Sequence, residues 1–344
     1  MNFLKKISSY IPGVLVALVI AAVAKFLESL LPIHIIGASV IAMFIGIIIN
    51  SIKKPAEILL PGIKFTSKKL LKFAIILLGA SLNITTVLLV GRNSLLVMVF
   101  TLATCFGFGY LFGRVFKLNW KMSSLISAGT GICGGSAIAA IAPVIEATDL
   151  DIAFGMSATF IFDMIMIVVF PILGKAMGLT DIMYGLWSGT AVNDTSSVVA
   201  AGYAFSEEAG NYATMVKLTR TIAIIPTVIV FALIAMSLKK KENNSAGEKV
   251  KVNFKKIIPW FILGFLAMSI INSVGLIPSA VSSVMKDISK FLMVAALAAI
   301  GLNTDIKDMK KTGPAPMVHG FIISLLVVLV SIAVILFESK VGML

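Results

Sequence analysis

The stretch Gly129–Ala140, which reads GTGICGGSAIAA, determines how the rest of the chain is interpreted. It lies in the middle of an apolar segment long enough to cross a lipid bilayer. Four glycines within seven residues disfavour a continuous helix, because each costs about 1 kcal/mol relative to alanine. In hydrocarbon, backbone groups released from a helix need partners, so an unwound stretch persists only inside protein or beside water. The sequence therefore predicts a broken membrane helix that presents backbone groups to a solute.

The composition is that of a membrane protein. Of the 344 residues, 59% are hydrophobic and only 13% are charged, whereas about a quarter of a soluble domain is charged. We therefore expect an all-α polytopic membrane protein forming a single transmembrane domain over residues 1–344. The net charge of +13 is explained by lysines in short loops, where cytoplasmic positive charge sets orientation. The sequence contains no basic patch with interleaved aromatic residues, so we expect no nucleic-acid binding.

Eleven apolar segments have the length of about 20 residues that a membrane helix requires. They cover Ile11–Leu31, Ile33–Ser51, Leu70–Val90, Ser94–Phe112, Met122–Ile145, Ile152–Met177, Ile182–Phe205, Tyr212–Leu238, Ile257–Val274, Ile288–Ile306 and Met317–Phe337. Pro32 separates the first two segments, which predicts a tight helical hairpin. The basic start of the chain precedes no clear small-residue cleavage site, so we expect no cleavable signal peptide.

Charged residues alternate in sign from loop to loop. The basic loops are Lys5–Lys6, Lys53–Lys69, Arg114–Lys121, Lys239–Lys256 and Lys307–Lys311, and the opposite loops carry Arg92, Glu146–Asp151 and Glu207–Glu208. This pattern predicts a cytoplasmic N-terminus and an outside C-terminus. The polar loop at 239–256 is the expected boundary between two halves, and Ile277–Lys286 is interpreted as a short interfacial helix or a loop.

Weak internal similarity is typical of transporters built from inverted repeats. Leu78–Thr85 in the third span resembles Ala298–Asp305 in the tenth, and these spans are predicted to cross in opposite directions. A second similarity relates Gly129–Ala140 to Gly189–Ala200. Those two spans are predicted to run in the same direction, so they are not inverted mates.

The seventh span carries a long polar run, Ser188–Ser197, which reads SGTAVNDTSS. An intramembrane Asp194 is costly unless it is paired or wet, which favours a functional site and a second broken helix. The alternative is a hydrogen-bonded patch between packed helices. Asp163, in the middle of the sixth span, has two interpretations of equal weight. It either carries a proton or serves as the partner of a nearby cation or backbone group.

Lys217 and Arg220 stand three residues apart and therefore share one face of the eighth span. Three interpretations remain open for them. They bind an anion, with arginine offering a bidentate fork to an oxyanion, they pair with Asp163 or Asp194, or they snorkel to the interface. The acidic outer loop favours the first two over the third.

The remaining reactive side chains carry weaker signals. The only two cysteines, Cys105 and Cys133, lie in apolar spans, and Cys133 is favoured as a small apolar filler over a nucleophile. The only two histidines are His34 and His319, and a lone histidine of this kind is usually a satisfied core group. Nothing in the sequence matches a nucleotide loop, a metal cluster or a hydrolase triad, so no enzyme activity and no cofactor are expected.

The segments Gly129–Ala140 with Pro143, Tyr184–Thr190, Val198–Gly202 and Val216–Arg220 resemble the YeiH-type sulfate exporter family of bacterial inner-membrane proteins. The resemblance extends over essentially the full chain. It implies secondary transport and a fold of the bile-acid and sodium/proton-antiporter type, with inverted repeats and discontinuous crossing helices. The pair Asn193-Asp194 departs from the histidine and glutamate that are common in similar proteins at this position.

We therefore expect a secondary active transporter for a small, anionic solute, such as sulfate or an organosulfur oxyanion, coupled to H⁺ or Na⁺. An ion channel or uncoupled pore is the alternative, followed by a membrane receptor; a homodimer is left open. The expected solute-binding residues are Gly129, Thr130, Cys133, Gly134, Gly135, Ser136, Thr190, Asn193, Thr195, Ser196, Lys217 and Arg220. The expected coupling residues are Asp163, Asp194, Asn83 and Asn303, and no metal site or catalytic residue is expected.

Overall fold

The computed structural model describes residues 2–30, 38–243, 260–304 and 314–342, and every regular element in these ranges is helical. In chain order the α-helices are α1 (Asn2–Leu30), α2 (Ala38–Ile52), α3 (Leu60–Phe65), α4 (Leu71–Gly79), α5 (Ile84–Val115), α6 (Trp120–Ala128), α7 (Gly135–Ile141), α8 (Asp149–Ala176), α9 (Asp181–Ala191), α10 (Thr195–Phe205), α11 (Glu207–Ile222), α12 (Ile224–Asn243), α13 (Trp260–Ser273), α14 (Ser279–Leu302) and α15 (Pro314–Val341). Two π-helical segments, Thr66–Leu70 and Gly129–Cys133, join α3 to α4 and continue α6.

Five helical stretches in the described part of the chain are long and apolar enough to cross a membrane. They are Ser8–Leu30, Ile84–Val115, Leu150–Ala176, Glu207–Leu238 and Pro314–Val341. Large apolar side chains along them are exposed, as a lipid-facing surface requires. The expected class, an all-helical membrane protein, is confirmed. The count of eleven spans stays a prediction, because the other predicted spans fall on shorter or interrupted helices.

The third and fourth predicted spans have different boundaries in the structure. The chain is helical from Leu60 to Gly79, turns, and enters α5 at Ile84. The side chain of Asn83 caps α5 by accepting a hydrogen bond from the Thr85 amide at 2.9 Å. Arg92, predicted in an outer loop, therefore lies inside α5, because the polar residues around it do not break the helix and the cap comes nine residues earlier.

Two other loop predictions also change. The segment Ile277–Lys286 is neither a loop nor a separate interfacial helix, since α14 begins at Ser279 directly after Pro278 and continues without interruption to Leu302. In the predicted boundary at 239–256, α12 continues to Asn243, and the residues from 244 to 256 lie outside the described ranges. His34 and the lysines at 307–311 also lie outside the described residues. The segments proposed as inverted repeats end α4 and α14, and the repeat itself stays a prediction.

The helices form two bundles. The first bundle contains α1–α4, α13 and α14, and the second contains α5–α12 and α15. Packing is extensive within each bundle, as between α2 and α14 or between α9 and α11. Packing between the bundles is sparse and involves mainly α10 against α2 and α14, and α13 against α5. The chain therefore contains two helical units that meet along a narrow seam.

Glycine pairs hold the first bundle together. A Cβ on Gly62 would lie 2.6 Å from the Cα of Gly13, and a Cβ on Gly46 would lie 3.0 Å from the carbonyl carbon of Gly301. No side chain fits at either place, so α1 packs directly on α3 and α2 packs directly on α14. Small residues are the usual means by which membrane helices approach this closely.

Candidate functional site

The first interrupted helix contains the glycine-rich stretch Gly129–Ala140. After α6 the backbone widens into the π-helical segment Gly129–Cys133, in which the Gly134 amide donates to the Gly129 carbonyl at 2.8 Å. Gly134 then adopts φ +62° and ψ −133°, and α7 starts at Gly135. A positive φ suits glycine, which has no Cβ. The helix is thus broken at Gly134.

The second interrupted helix lies in the polar run of the seventh predicted span. The helix α9 ends at Ala191, and Val192 and Asp194 are extended, with ψ values of 136° and 148°. The Asp194 carboxylate then caps α10 by accepting hydrogen bonds from the Ser196 amide at 2.9 Å and from the Ser196 hydroxyl. An aspartate in this position stabilises a helix start by about 1 kcal/mol. The break therefore spans Val192 to Asp194.

The two breaks touch each other. A Cβ on Gly134 would lie 2.9 Å from Oδ1 and 3.0 Å from Cβ of Asp194. The single long helix α8 separates the two interrupted helices along the chain, with a short turn at each of its ends.

Each interrupted helix folds back on itself at its break. The Lys121 ammonium on α6 donates to the Glu146 carbonyl beyond α7 at 2.7 Å. The Ser206 hydroxyl after α10 donates to the Asp181 carboxylate at the start of α9. The predicted fifth and seventh spans are therefore two helical hairpins, α6–α7 and α9–α10, rather than single straight spans. The breaks lie at the hairpin tips, and α7 and α10 both begin where the tips cross.

One buried lysine donates hydrogen bonds to a backbone carbonyl at each of the two breaks. Lys217 on α11 is fully buried, and its Nζ donates to the carbonyl of Ile132 at 2.8 Å and to that of Val192 at 2.9 Å. The last carbonyls of a helix lack partners and carry a partial negative charge. A single ammonium group therefore satisfies and neutralises two helix ends. One turn along α11, Nη2 of the fully buried Arg220 donates to the Thr130 carbonyl at 2.9 Å.

One buried carboxylate accepts hydrogen bonds from two backbone amides of the second break. Asp163 on α8 is fully buried, and its Oδ1 accepts from the Asn193 amide at 2.8 Å. Its Oδ2 accepts from the Asp194 amide at 2.7 Å. Hydrogen bonds to an ionised group are roughly twice as strong as neutral ones. Asp163 therefore fixes two consecutive amides of the non-helical segment, which matches the interpretation of it as a backbone partner.

The structure changes the interpretation of Lys217 and Arg220. Snorkelling is wrong, because neither side chain has any exposed area. Both side chains bond to backbone carbonyls of the breaks, a role that neither the anion-binding nor the ion-pair interpretation contains. The guanidinium Nε and Nη1 of Arg220, the Thr130 hydroxyl and the Asn193 side-chain oxygen have no hydrogen-bond partner in the described structure.

A cavity of about 580 Å³ lies between the two bundles, and both breaks open into it. The first bundle contributes Ser67, Lys68, Leu71, Lys72, Ile75, Phe261, Ile300, Asn303 and Thr304. The second bundle contributes Gly134, Gly135, Ser136, Ala139, Met156, Ser157, Thr159, Phe160, Asp163, Asp194, Thr195 and Ser196. The cavity thus combines two lysines, two aspartates, several hydroxyls and a large apolar wall.

The cavity brings together part of the predicted site. The predicted residues that line it are Gly134, Gly135, Ser136, Asp163, Asp194, Thr195, Ser196 and Asn303. The predicted residues that do not line it, and are instead buried, are Gly129, Thr130, Cys133, Thr190, Asn193, Lys217 and Arg220. Thr190, for example, donates its hydroxyl to the Leu186 carbonyl at 2.7 Å within α9. Asn83 is an exposed helix cap on α5 and does not line the cavity.

Sequence reasoning missed Lys68 and Lys72 as site residues. The sequence pattern predicts an orienting basic loop at Lys68 and the start of a span at Lys72, although their spacing of four residues places them on one helix face. That spacing, continued by the apolar Leu71 and Ile75, was the available signal. His319 is fully buried, as expected of a core group, and its Nε2 lies 3.2 Å from the Ser123 hydroxyl. It is not fully satisfied, because its Nδ1 has no hydrogen-bond partner in the described structure.

The fold and the crossing define a class: a multi-pass helical membrane protein with two interrupted helices that meet beside a cavity. The chain belongs to the family described as conserved hypothetical protein 698, whose model matches residues 12–320. It is 56% identical over 341 residues to a UPF0324 membrane protein of Clostridium tetani (strain Massachusetts / E88), covering 97% of this chain and 98% of that protein. It is 40% identical over 327 residues to UPF0324 membrane protein SAG1125 of Streptococcus agalactiae serotype V, covering 94% and 96% of the two chains.

Proposed function

We propose that this protein is a secondary active transporter of a small anion, coupled to H⁺ or Na⁺, in the bacterial inner membrane. The observation that carries the proposal is the cavity between two sparsely connected bundles, with both helix breaks opening into it. Secondary transporters bind their substrates near the membrane midplane at discontinuous helices, and one bundle rocks against the other around that site. The narrow seam between the bundles supports such a movement.

The charges around the cavity support an anionic substrate. Lys68 and Lys72 line its wall on the first bundle. The carboxylates of Asp163 and Asp194 also line it, but each already accepts hydrogen bonds from the second break or from Ser196. The resemblance to YeiH-type sulfate exporters supports sulfate or an organosulfur anion.

Asp163 is the proposed coupling residue. Its two oxygens hold the Asn193 and Asp194 amides, so the charge of this carboxylate and the shape of the second break depend on each other. A proton on Asp163 removes one acceptor and weakens this hold. A Na⁺ ion near Asp163, Asp194 and Asn303 competes with the amides for the same oxygens. Either ion would thereby change the wall that faces the substrate.

Reconstitution into proteoliposomes tests the proposal. The measurements are uptake of radiolabelled sulfate and of small organosulfonates, with and without imposed H⁺ and Na⁺ gradients, followed by counterflow against preloaded unlabelled anion. A carrier shows counterflow and gradient-driven accumulation. Flux that only dissipates gradients, without counterflow, would establish a channel instead and contradict the proposal.

A further inference from the structure

The cavity is larger and more apolar than an inorganic oxyanion needs. Its volume is about 580 Å³, within the range of roughly 300–1,000 Å³ typical of organic ligand sites. A sulfate ion occupies the space of only a few water molecules, each about 30 Å³. A large part of the wall is apolar, formed by Leu71, Ile75, Phe160, Phe261 and Ile300 among others. Water against such a wall is unfavourable, so an occupant with an apolar body fits better.

One helix face presents the cations and the apolar wall side by side. Lys68, Leu71, Lys72 and Ile75 follow the spacing i, i+3, i+4 and i+7, and all four line the cavity. Lys68 is exposed and Lys72 is half-buried, and both line the cavity. The Lys72 ammonium lies 5.3 Å from the ring centroid of Phe261, where the cationic and aromatic parts of the wall meet.

We propose that the cavity binds a small organic anion, with Lys68 and Lys72 holding its charged headgroup and the apolar wall enclosing its short hydrocarbon body. This inference rests on the proposed transport function and narrows its substrate class. It assigns Lys68 and Lys72 as substrate-binding residues and places inorganic sulfate below organic sulfonates or carboxylates in affinity. The two aspartates face the same space but are engaged by the second break, which leaves the lysines to receive the headgroup.

The test is a binding series with the purified full-length protein. Linear alkanesulfonates from methanesulfonate to pentanesulfonate are compared with inorganic sulfate by isothermal titration calorimetry. Each methylene should lower Kd about fourfold, the factor that corresponds to burial of one CH₂ group, and sulfate should bind more weakly than propanesulfonate. The matched 1-alkanols, which share the body without the charge, should not compete and so control for partition into detergent.

Variants separate the two parts of the site. Lys72→Gln should weaken binding of every sulfonate at least tenfold and leave the methylene factor unchanged. Lys69→Gln is the matched control, because Lys69 lies over Trp260, 5.9 Å from its ring, and does not line the cavity. Phe160→Ala should reduce the methylene factor and leave sulfate binding unchanged. Thermal unfolding without ligand verifies that each variant is folded.

Each outcome has one meaning. If sulfate binds as tightly as the longer sulfonates, or if Lys72→Gln behaves like Lys69→Gln, the organic-anion inference is overturned, while transport of an anion still stands. If no anion in the series binds and none is taken up by proteoliposomes, the transport proposal is overturned as well. Competition by the alkanols would show that the headgroup is not recognised and would likewise overturn the inference.

Discussion

Gly134 and Asp194 contact each other where the tips of the two helical hairpins meet, and the contact leaves no room for a side chain on Gly134. A Cβ there would lie 2.9 Å from Oδ1 of Asp194. Asp194 is also the cap of α10. The backbone conformation at Gly134 and the Asp194 cap of α10 therefore depend on each other. If one break moved alone, this contact would be lost.

Gly134→Ala should destabilise the protein and impair transport. Alanine at φ +62° and ψ −133°, a combination that glycine adopts far more readily than other residues, costs roughly 1–3 kcal/mol of backbone strain, and its Cβ would displace the Asp194 cap. Gly135→Ala is the matched control, because the nearest atom to a Cβ there is Met156 Cε at 3.9 Å. Thermal unfolding compares the stability of the two variants, and anion uptake is compared between Gly134→Ala and the unmodified protein, because Gly135 itself lines the cavity. Equal stability of both would contradict the assignment of the crossing as a close contact.

Lys217→Met should cost more stability than Arg220→Met. The lysine substitution leaves two buried carbonyls, those of Ile132 and Val192, without their donor. Each buried group left unsatisfied costs about 1–3 kcal/mol. The arginine substitution frees only the Thr130 carbonyl. Thermal unfolding in detergent ranks the two variants, and a smaller loss for Lys217→Met would show that its bonds to both breaks are not what holds the crossing.

Arg220→Ala tests whether this buried arginine serves transport as well as structure. The guanidinium retains two nitrogens, Nε and Nη1, without a hydrogen-bond partner in the described structure. We expect the variant to reach the membrane at normal levels and to lose transport, measured as uptake by proteoliposomes with protein quantified by immunoblot. Unchanged uptake would show that Arg220 has a structural role and no role in transport.

The sequence was sufficient to locate both breaks, because glycines and a polar run are costly inside an apolar span unless the backbone there is broken and partnered. It was insufficient to show where the partners of the breaks lie. Lys217 is 85 residues from Ile132 in the chain and reaches it only through the packing of α11 on the crossing. The role of Lys72 was hidden for a related reason: a lysine near a span end also serves orientation, and only the position of α4 relative to the second bundle shows that it faces a cavity.

Asp163→Asn should uncouple transport from the ion gradient. Asparagine keeps one acceptor oxygen for the Asn193 and Asp194 amides but loses the charge that responds to H⁺ or Na⁺. We expect counterflow exchange to persist while accumulation driven by the gradient disappears. Asp151→Asn is the control, since Asp151 belongs to the capping box of α8 with Thr148 and does not line the cavity. Gradient-driven accumulation that survives in Asp163→Asn would exclude Asp163 as the coupling residue.

An ion pair spans the seam between the bundles and should restrain their movement. The Glu207 carboxylate, at the start of α11 in the second bundle, contacts the ammonium groups of Lys286 and Lys290 on α14 in the first, at 2.6 Å for Lys290. These partly exposed groups stabilise the arrangement seen here by about 0.2–1 kcal/mol per pair. Because the bundles share few other contacts and Glu207→Gln removes both pairs, about 0.4–2 kcal/mol in total, the substitution should raise the exchange rate about two- to thirtyfold by making this arrangement easier to leave.

Glu208→Gln provides the matched control, since Glu208 is the exposed neighbour of Glu207 on the same helix turn. Counterflow rates of both variants and of the unmodified protein are compared in low salt and at 1 M salt, where the Debye length falls to about 3 Å. At 1 M salt, screening of the ion pair should bring the counterflow rate of the unmodified protein close to that of Glu207→Gln. If the two variants exchange at the same rate in low salt, the ion pair does not restrain the bundles, and the barrier to their movement lies in the apolar packing of α10 against α2 and α14.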